Sequence, residues 1–382
     1  MKLRFIAIIF CVLLVYSGIS FYIGWNGWLF LSTVFDLKSA GWYTLAAGLI
    51  AYAYIIGRAA YGTPLRPIAE AFKVVGSYWF AILEYAVLIL PPANIIALIL
   101  KATGADPAVY IVGVGSVVFG LMAILLLRGS WNAWSPIIRT YQVQVQKPAG
   151  ELKKLRIAMA SDLHLGNIVG NRHLERLVSH IEQIQPDLIL LPGDILDDDI
   201  EPFLRKNMSA VLGKLKAPLG VYAVTGNHEY IGRKVPEFIT AMDAIGIRVL
   251  MDESALIADS FYLVGRKDKA SAGFGADGRM TIGDLIAPLD QSKPLIMLDH
   301  QPSDIAKAAE NGIDISVSGH THRGQMMPNH LITKRLFELD WGYLKKGSLH
   351  AIVSSGFGSW GPPIRIGSRS EVVHIEVEFV TG

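Results

Sequence analysis

Long apolar stretches in the first third of the chain constrain the fold most. A backbone that crosses lipid must satisfy its own hydrogen bonds, which favours helices. Four stretches approach the roughly 20 mostly apolar residues that a membrane-spanning helix needs. They cover residues 5–25, 41–57, 75–100 and 108–127. The third contains Glu84 and the pair Pro91-Pro92, where we expect the helix to break.

The connections between these stretches indicate how the chain crosses the membrane. The apolar segment 26–36 is too short to span, and we expect it to be interfacial or re-entrant. The first stretch resembles a secretory signal, but no small-x-small cleavage site is evident and three further stretches follow, which favours an uncleaved helix. Lysine and arginine are concentrated before the first stretch, between the second and third, and after the fourth. This asymmetry predicts a multi-pass membrane protein with both termini and the soluble part in the cytoplasm.

The chain changes character after the fourth stretch. All ten histidines lie at or beyond His164, and charged residues become as frequent as in a soluble protein. We therefore expect a membrane domain over 1–128, a linker with a first strand over 129–149, and a soluble domain over 150–382. The net charge of +2 and the absence of a basic stripe argue against a nucleic-acid polymer as partner. A single cysteine, Cys11, excludes a disulfide within the chain.

Five short apolar runs in the soluble half each end in side chains that bind metals. Such runs suit buried strands, and ligands in open α/β sheets bind beyond the carboxyl ends of strands. The five ends should therefore converge on one cleft. The polar residues that follow the runs are Asp162 and His164, then Asp194, then Asn227, His228 and Glu229, then Asp299 and His300, and finally His320 and His322.

The order of these motifs resembles the calcineurin-like metallophosphoesterases. D-x-H begins at Asp162, followed by G-D at 193–194, G-N-H-E at 226–229, a single histidine at His300, and G-H-T-H at 319–322. The resemblance covers about 150–382 and includes the membrane-associated branch of that superfamily. It implies an α+β four-layer (αββα) sandwich behind an N-terminal α-helical membrane domain. Many relatives have glycine where this chain has Arg323, a difference that affects what the cleft accepts and leaves the metal set intact.

The resemblance also implies two divalent transition-metal ions, of Mn, Fe or Zn type, because the ligands mix nitrogen and oxygen. Metal-bound hydroxide would then attack phosphorus. Asp194 would bridge the ions, and His228 would stabilise the transition state or protonate the leaving oxygen, the alternative being that it orients a ligand. The first ion would bind Asp162, His164, Asp194 and His322, and the second Asp194, Asn227, His300 and His320.

Residues around the motifs carry weaker expectations. Arg323 and Arg365 are candidates for binding a phosphate oxygen in a bidentate manner, the alternative being that they are ordinary surface arginines. The acidic run 197–199 is either a set of groups behind the ligands or a solvated helix start.

The resulting hypothesis is a membrane-anchored, two-metal phosphoesterase that acts on a phosphodiester or pyrophosphate. A lipid-linked substrate is preferred because the attached spans keep the site near membrane lipids. One alternative is a phosphodiesterase for soluble nucleotides that is merely tethered to the membrane. Another is a non-catalytic scaffold or transporter-coupled module, which would have lost ligand residues, whereas every motif position is filled here.

Overall fold

A computed structural model of the chain describes residues 2–274 and 278–380. The chain forms two compact units, Met1–Gly129 and Ser130–Gly382. The first unit is helical. Its elements are α1 (Lys2–Phe35), α2 (Gly41–Ala51), α3 (Ala53–Ala60), α4 (Arg66–Ala102), a π-helical turn (Ala108–Gly113) and the start of α5 (Val114–Trp134).

Several of these helices are suited to lipid. Among the described residues, three are long and apolar enough to cross a membrane, namely α1, α4 and the helix formed by the π-turn with α5. The pair α2 and α3 is bent by 60° and adds a fourth crossing only if the pair is a single span. The predicted count of four spans therefore stays a prediction.

Two local expectations for this unit are wrong. The segment 26–36 is not separate, because α1 continues through Phe35, and the side-chain amide of Asn26 donates to the Tyr22 carbonyl at 2.9 Å within the helix. The pair Pro91-Pro92 does not end α4, which runs on to Ala102. Each proline removes only one N–H donor, so the loss stays local while the flanking turns keep their hydrogen bonds.

Two six-stranded sheets form the second unit. The first has the order β1-β12-β2-β3-β4-β5 and the second β10-β11-β9-β8-β7-β6. The strands of the first sheet are β1 (Ile137–Val145), β2 (Lys154–Met159), β3 (Leu188–Pro192), β4 (Val221–Val224), β5 (Ile247–Val249) and β12 (Glu371–Phe379). Those of the second are β6 (Glu253–Ile257), β7 (Phe261–Gly265), β8 (Leu295–Leu298), β9 (Ile315–Ser318), β10 (Gly342–Lys346) and β11 (Leu349–Val353).

Parallel pairing in the middle of each sheet positions the site. β2, β3, β4 and β5 pair in parallel, as do β7, β8, β9 and β11. The carboxyl ends of strands that pair in parallel meet at one edge of their sheet. The segment 129–149 contains the end of α5 and β1.

The sheets pack face to face between helices. Side chains alternate along a strand, so Ile157 and Met159 of β2 lie in a core shared with Ile296 and Ile315 of the second sheet, whereas Ala158 packs towards the helices. This is the expected αββα sandwich. The helices of this unit are α6 (Asn171–Ile184), α7 (Glu201–Arg205), α8 (Met208–Leu212), α9 (Asn227–Ile231), α10 (Val235–Asp243), α11 (Ile282–Ile286), α12 (Ile305–Glu310) and α13 (His330–Leu336).

Candidate metal centre

Loops from both sheets deliver side chains to one place. In the first sheet, β2 leads to Asp162 and His164, β3 leads to Asp194, and β4 leads to Asn227. In the second sheet, β8 and β9 lead to three histidines, His300, His320 and His322. The structure brings all seven predicted ligands together. Their assignment as ligands remains a prediction.

Short distances connect the seven side chains in a continuous series. His164 Nε2 is 3.1 Å from His322 Nε2, which is 3.5 Å from Asp162 Oδ1. His164 Nε2 is also 3.9 Å from Asp194 Oδ2. The series continues through His300 Nε2, which lies 3.1 Å from Asp194 Oδ2, 3.2 Å from Asn227 Oδ1 and 3.3 Å from His320 Nδ1.

Within residues 2–274 and 278–380, three overlapping groups have donor atoms close enough together to bind one cation each. Asp194 belongs to two of them, which suits a shared ligand. The groups are Asp162, His164 and His322; His164, Asp194 and His228; and Asp194, His300 and His320.

The hydrogen bond of His300 tests whether these residues fit a metal. Its Nδ1 lies 2.9 Å from the Pro192 carbonyl, which only accepts, so Nδ1 carries a proton. In the neutral ring, Nε2 then points a lone pair at the oxygens of Asp194 and Asn227, an arrangement that a metal ion or a second ring proton between them stabilises. Burial lowers the pKa of His300, but Asp194, with Asp162 and Asp268, raises that pKa well above its ordinary value. The site therefore attracts positive charge, and the residues fit divalent ions.

The histidines on the other side of the cluster are neutral. Burial lowers the pKa of His164 to about 3 and the pKa of His322 well below its ordinary value. Neutral imidazole is the form that binds metals. The Nε2 atoms of these two rings face each other at 3.1 Å.

The backbone at the site is held in an uncommon conformation. Five of the seven predicted ligands have φ in the left-handed region, which costs free energy for residues other than glycine and persists where surrounding structure enforces it. Such strain is concentrated at functional sites. The five are Asp162 (54°), His164 (46°), Asp194 (51°), His320 (72°) and His322 (48°).

Two glycines allow the loops to approach each other. A Cβ at Gly226 would collide with the carboxylate and backbone of Asp194, and a Cβ at Gly319 would collide with Asp162 and Ser161. Glycine is therefore required immediately before Asn227 and His320, because any side chain would push the loops apart.

Glu229 ties the β3 and β4 loops together. It is 2 % exposed, and its carboxylate accepts hydrogen bonds from the backbone N–H groups of Gly226, Asp194 and Leu196 at 2.7, 3.2 and 2.9 Å. Burial raises its pKa to about 7. The sequence motifs indicated no individual role for Glu229. Its position three residues after Gly226 could have indicated a structural role, because glutamate at that spacing caps the start of a helix.

His228 lies beside the cluster with its ring oriented by an acid. Its Nδ1 donates to Asp198 Oδ1 at 2.7 Å, and its Nε2 lies 4.0 Å from Asp194 Oδ2. Burial lowers the pKa of His228, but the hydrogen bond to Asp198 and the nearby carboxylates of Asp194 and Asp197 together raise it to about 9. Asp198 of the acidic run thus lies behind His228, and the expectation that the run supports the metal ligands stays a prediction.

The two arginines differ in location. Arg365 is 0 % exposed, and its guanidinium donates to the carbonyls of Ser355 and Gly358 at 2.7 and 2.5 Å and lies 3.2 Å from His322 Nδ1. This location argues against the expected contact with substrate, since Arg365 supports a loop and a histidine from within the core.

Arg323 is partly buried at the end of the G-H-T-H turn. Its guanidinium carbon lies 3.9 Å from the ring centroid of Trp341, a cation–π contact that orients the side chain. Its contact with substrate stays a prediction. Asp299 does not join the cluster and instead pairs with Arg266 and Arg279 at 2.7 and 3.0 Å.

Trp360 forms part of the surroundings of His228 and was not anticipated. It is 59 % exposed, and its ring centroid lies 6.3 Å from that of His228. The buried amide of Gln325 holds this loop, because it donates to the Trp360 and Pro362 carbonyls and accepts from the Trp360 N–H at 2.9, 2.8 and 2.9 Å. The glycine-rich sequence around Trp360 marked the loop without indicating this contact.

Comparison with known proteins identifies the family. Residues 155–324 match the family model for calcineurin-like phosphoesterases. An uncharacterized metallophosphoesterase of Aquifex aeolicus is 30% identical over 267 residues, which cover 67% of this chain and 98% of that protein. The chain belongs to the calcineurin-like metallophosphoesterase family. The resemblance read from the motifs is thereby confirmed.

Other relatives of this metallophosphoesterase are named as transmembrane proteins. A Danio rerio protein named transmembrane protein with metallophosphoesterase domain is 31% identical over 267 residues, which cover 67% of this chain and 60% of that protein. The chain spans about 60% of the length of the first curated relatives that it matches. Among solved structures, TT1561 of Thermus thermophilus matches with a TM-score of 0.38 and 13% identity over 54% of this chain and 90% of that one. The apolar helices and the transmembrane relatives support a membrane protein.

Proposed function

We propose that this metallophosphoesterase is a membrane-anchored phosphohydrolase that cleaves a phosphodiester or pyrophosphate bond, preferably in a lipid-linked substrate. The observation that carries the proposal is the junction of the two sheets, where buried carboxylates and imidazoles converge on shared positions. Asp162, Asp194, Asn227 and the four histidines His164, His300, His320 and His322 would hold two ions of Mn, Fe or Zn type. When bound, such a pair supplies a nucleophile at neutral pH and neutralises charge on the phosphoryl group.

His228 is the residue proposed to act on the leaving group. Because Asp198 accepts a hydrogen bond from Nδ1, the ring presents Nε2 towards the cluster. From there it can donate a proton to the departing oxygen or a hydrogen bond to a phosphoryl oxygen. Asp198 acts through His228 and is a positioning residue.

A lipid-linked substrate is proposed because of the membrane helices. Tethered to those helices, the cleft remains within reach of phospholipid headgroups, where lipid phosphoesters are concentrated. Hydrolysis of a soluble nucleotide phosphodiester is the main alternative, since the metal centre recognises the phosphoryl group that both substrates share.

The test is a substrate screen of the detergent-purified full chain with added Mn. Lipid phosphodiesters, lipid pyrophosphates and nucleotide phosphodiesters are offered side by side, with Asp194→Asn as the inactive control. Hydrolysis of a lipid-linked substrate that Asp194→Asn abolishes is expected. Turnover of nucleotides alone would favour the tethered nucleotide enzyme, and no turnover with metal bound would favour a scaffold.

We also propose that the chain is multi-pass and that its phosphoesterase domain lies in the cytoplasm. The lysine and arginine asymmetry supports this orientation. With both termini in the cytoplasm the number of crossings must be even, so α2 and α3 would together form a single span. A reporter fused after Gly382 is expected to behave as cytoplasmic. Digestion of the domain by protease added outside intact cells would contradict the assignment.

A further inference from the structure

Helix α13 exposes an apolar surface although it belongs to the phosphoesterase domain. Leu331, Ile332 and Leu336 are 61, 60 and 71 % exposed, and no residue of the helix is buried. At about 100° per residue, these three side chains fall within an arc of about 140° on one face. Met327, just before the helix, is 46 % exposed. Clustered apolar side chains of this kind mark interaction surfaces, unlike scattered ones.

Both ends of this helix lie close to predicted metal ligands in the G-H-T-H turn. The start of α13 packs against Gly324, where a Cβ would collide with the backbone of Asn329 and His330. Gly324 lies two residues after His322. Beyond the other end, the ring centroid of Phe337 is 6.0 Å from that of His320. The helix therefore lies alongside the G-H-T-H turn, and whatever binds its outer face is brought next to the metal centre.

Basic side chains accompany the apolar ones. Lys334 and Arg335 are exposed in the last turn of the helix. The neighbouring Glu338 pairs with Lys346 at 2.6 Å, so its charge is offset locally. An apolar face with adjacent cations suits the interface of an anionic bilayer, where apolar side chains enter the acyl boundary and cations meet phosphate groups. The chain's own membrane helices keep such a bilayer within reach.

We propose that the α13 surface, formed by Met327, Leu331, Ile332, Lys334, Arg335 and Leu336, inserts into the headgroup region of an anionic bilayer. It thereby holds the metal centre at the depth of lipid phosphates. This inference deepens the proposed function. It rests on that function in one respect, because placing the metal centre near lipid phosphates matters only if the substrate is a lipid phosphoester. The lipid contact itself is measurable without any catalysis.

The test places a fluorescent probe on the helix in the full-length protein. In a Cys11→Ser background, Ile332→Cys and Leu336→Cys are each labelled with an environment-sensitive fluorophore. The protein is then reconstituted into nanodiscs of phosphatidylcholine and phosphatidylglycerol. Leu256→Cys is the matched control, because Leu256 is 44 % exposed on β6, at the edge of the second sheet opposite β10. Nitroxide-labelled lipids quench a probe that touches the bilayer, and aqueous iodide quenches one that does not.

Strong loss of fluorescence with nitroxide lipids at 332 and 336, with iodide quenching dominant at 256, is the expected result. Equal lipid quenching at 332 and 256 would overturn the proposal. Iodide protection at 332 without lipid quenching would also overturn it, since a protein partner or second copy would then cover the helix.

Two variants connect the contact to substrate access. Replacing Leu331, Ile332 and Leu336 together with serine is expected to abolish lipid quenching at a probe on Met327→Cys. It should reduce hydrolysis of a lipid phosphoester in vesicles while leaving that of bis-(p-nitrophenyl) phosphate unchanged. Lys334→Glu combined with Arg335→Glu should remove the preference for anionic lipid. Equal loss on both substrates would contradict a role in access.

The outcome separates this inference from the proposed function. If wild-type protein hydrolyses no phosphoester but the probes report lipid, the proposed function fails and the membrane contact stands. If hydrolysis is abolished by Asp194→Asn but the probes report water, the enzyme stands and the membrane contact fails.

Discussion

The two sheets contribute unequally to the metal centre. Loops of the first sheet supply both carboxylates, Asp162 and Asp194, whereas loops of the second supply the imidazoles of His300, His320 and His322. The negative charge that attracts a cation therefore comes from one side. The other side would complete the coordination of a metal ion with nitrogen donors.

The first-sheet carboxylates also hold the loops in place. Asp194 Oδ1 accepts from the His228 backbone N–H at 3.0 Å, and Asp162 Oδ1 accepts from the His320 backbone N–H at 2.9 Å. A residue of the second sheet is thus positioned by a carboxylate of the first. We infer that a change on the carboxylate side should affect the whole centre, whereas a change on the imidazole side should remove one ligand.

The strongest test of this asymmetry compares Asp194→Asn with His320→Ala. Asp194→Asn should lose both ions and reduce activity to background, more than the roughly 10–100-fold typical of groups behind a ligand. His320→Ala should retain the ion on the His164 and His322 side. Elemental analysis after Mn reconstitution measures this difference. Equal metal loss in both variants would show that the sides are equivalent.

Substitution of His228 tests whether the first-sheet side contributes a catalytic group that does not bind metal. His228→Asn should keep its metals and lose about 10²–10⁴-fold in rate on substrates with poor leaving groups. The loss should be smaller for a nitrophenyl ester, since nitrophenolate departs without a proton. Loss of metal would make His228 a ligand, as one of the three groups allows. An equal loss of rate on both substrates would indicate stabilisation of phosphoryl charge instead.

Glu229 tests how far the first-sheet loops depend on their cross-link. Glu229→Gln replaces one carboxylate oxygen with a donor that faces backbone N–H groups, and we expect a loss of about 10–100-fold in metal affinity or activity. Glu182→Gln on the exposed face of α6 is the matched control and should have no effect. Titration of metal into the apo protein checks both variants. An unchanged affinity in Glu229→Gln would mean that the loops hold their positions unaided.

The smallest effect is expected on the imidazole side, at the arginines. Arg365→Lys loses the planar guanidinium that donates to the 355 and 358 carbonyls behind His322. It should lower metal affinity by about 10-fold, the lower end of the range for groups that support a ligand. We expect KM to be unchanged. Arg323→Lys should raise KM with metal content unchanged, because this side chain is not buried in the core. Steady-state kinetics with metal analysis separates the two. A raised KM in Arg365→Lys would restore the expected contact with substrate.

Local patterns in the sequence were sufficient for much of this protein. Short apolar runs that end in Asp, Asn or His are decided by residues within a few positions, and the order of the five motifs indicated the family. The αββα sandwich and the meeting of the seven side chains agree with that prediction. Apolar length likewise indicated helices suited to a membrane.

Only the tertiary structure decided the features that depend on residues far apart in the chain. The burial of Arg365 places its guanidinium 3.2 Å from His322 Nδ1, a residue 43 positions away, and a charged residue is otherwise expected at the surface. The role of Glu229 depends on N–H groups of the preceding strand's loop, more than thirty residues away. The sequence of α13 has the apolar pattern of an ordinary buried helix, and only the structure shows that its apolar face is exposed. The hydrophobic pattern indicates which residues can be buried. Whether they are buried depends on neighbours from distant chain segments, which a local pattern does not contain.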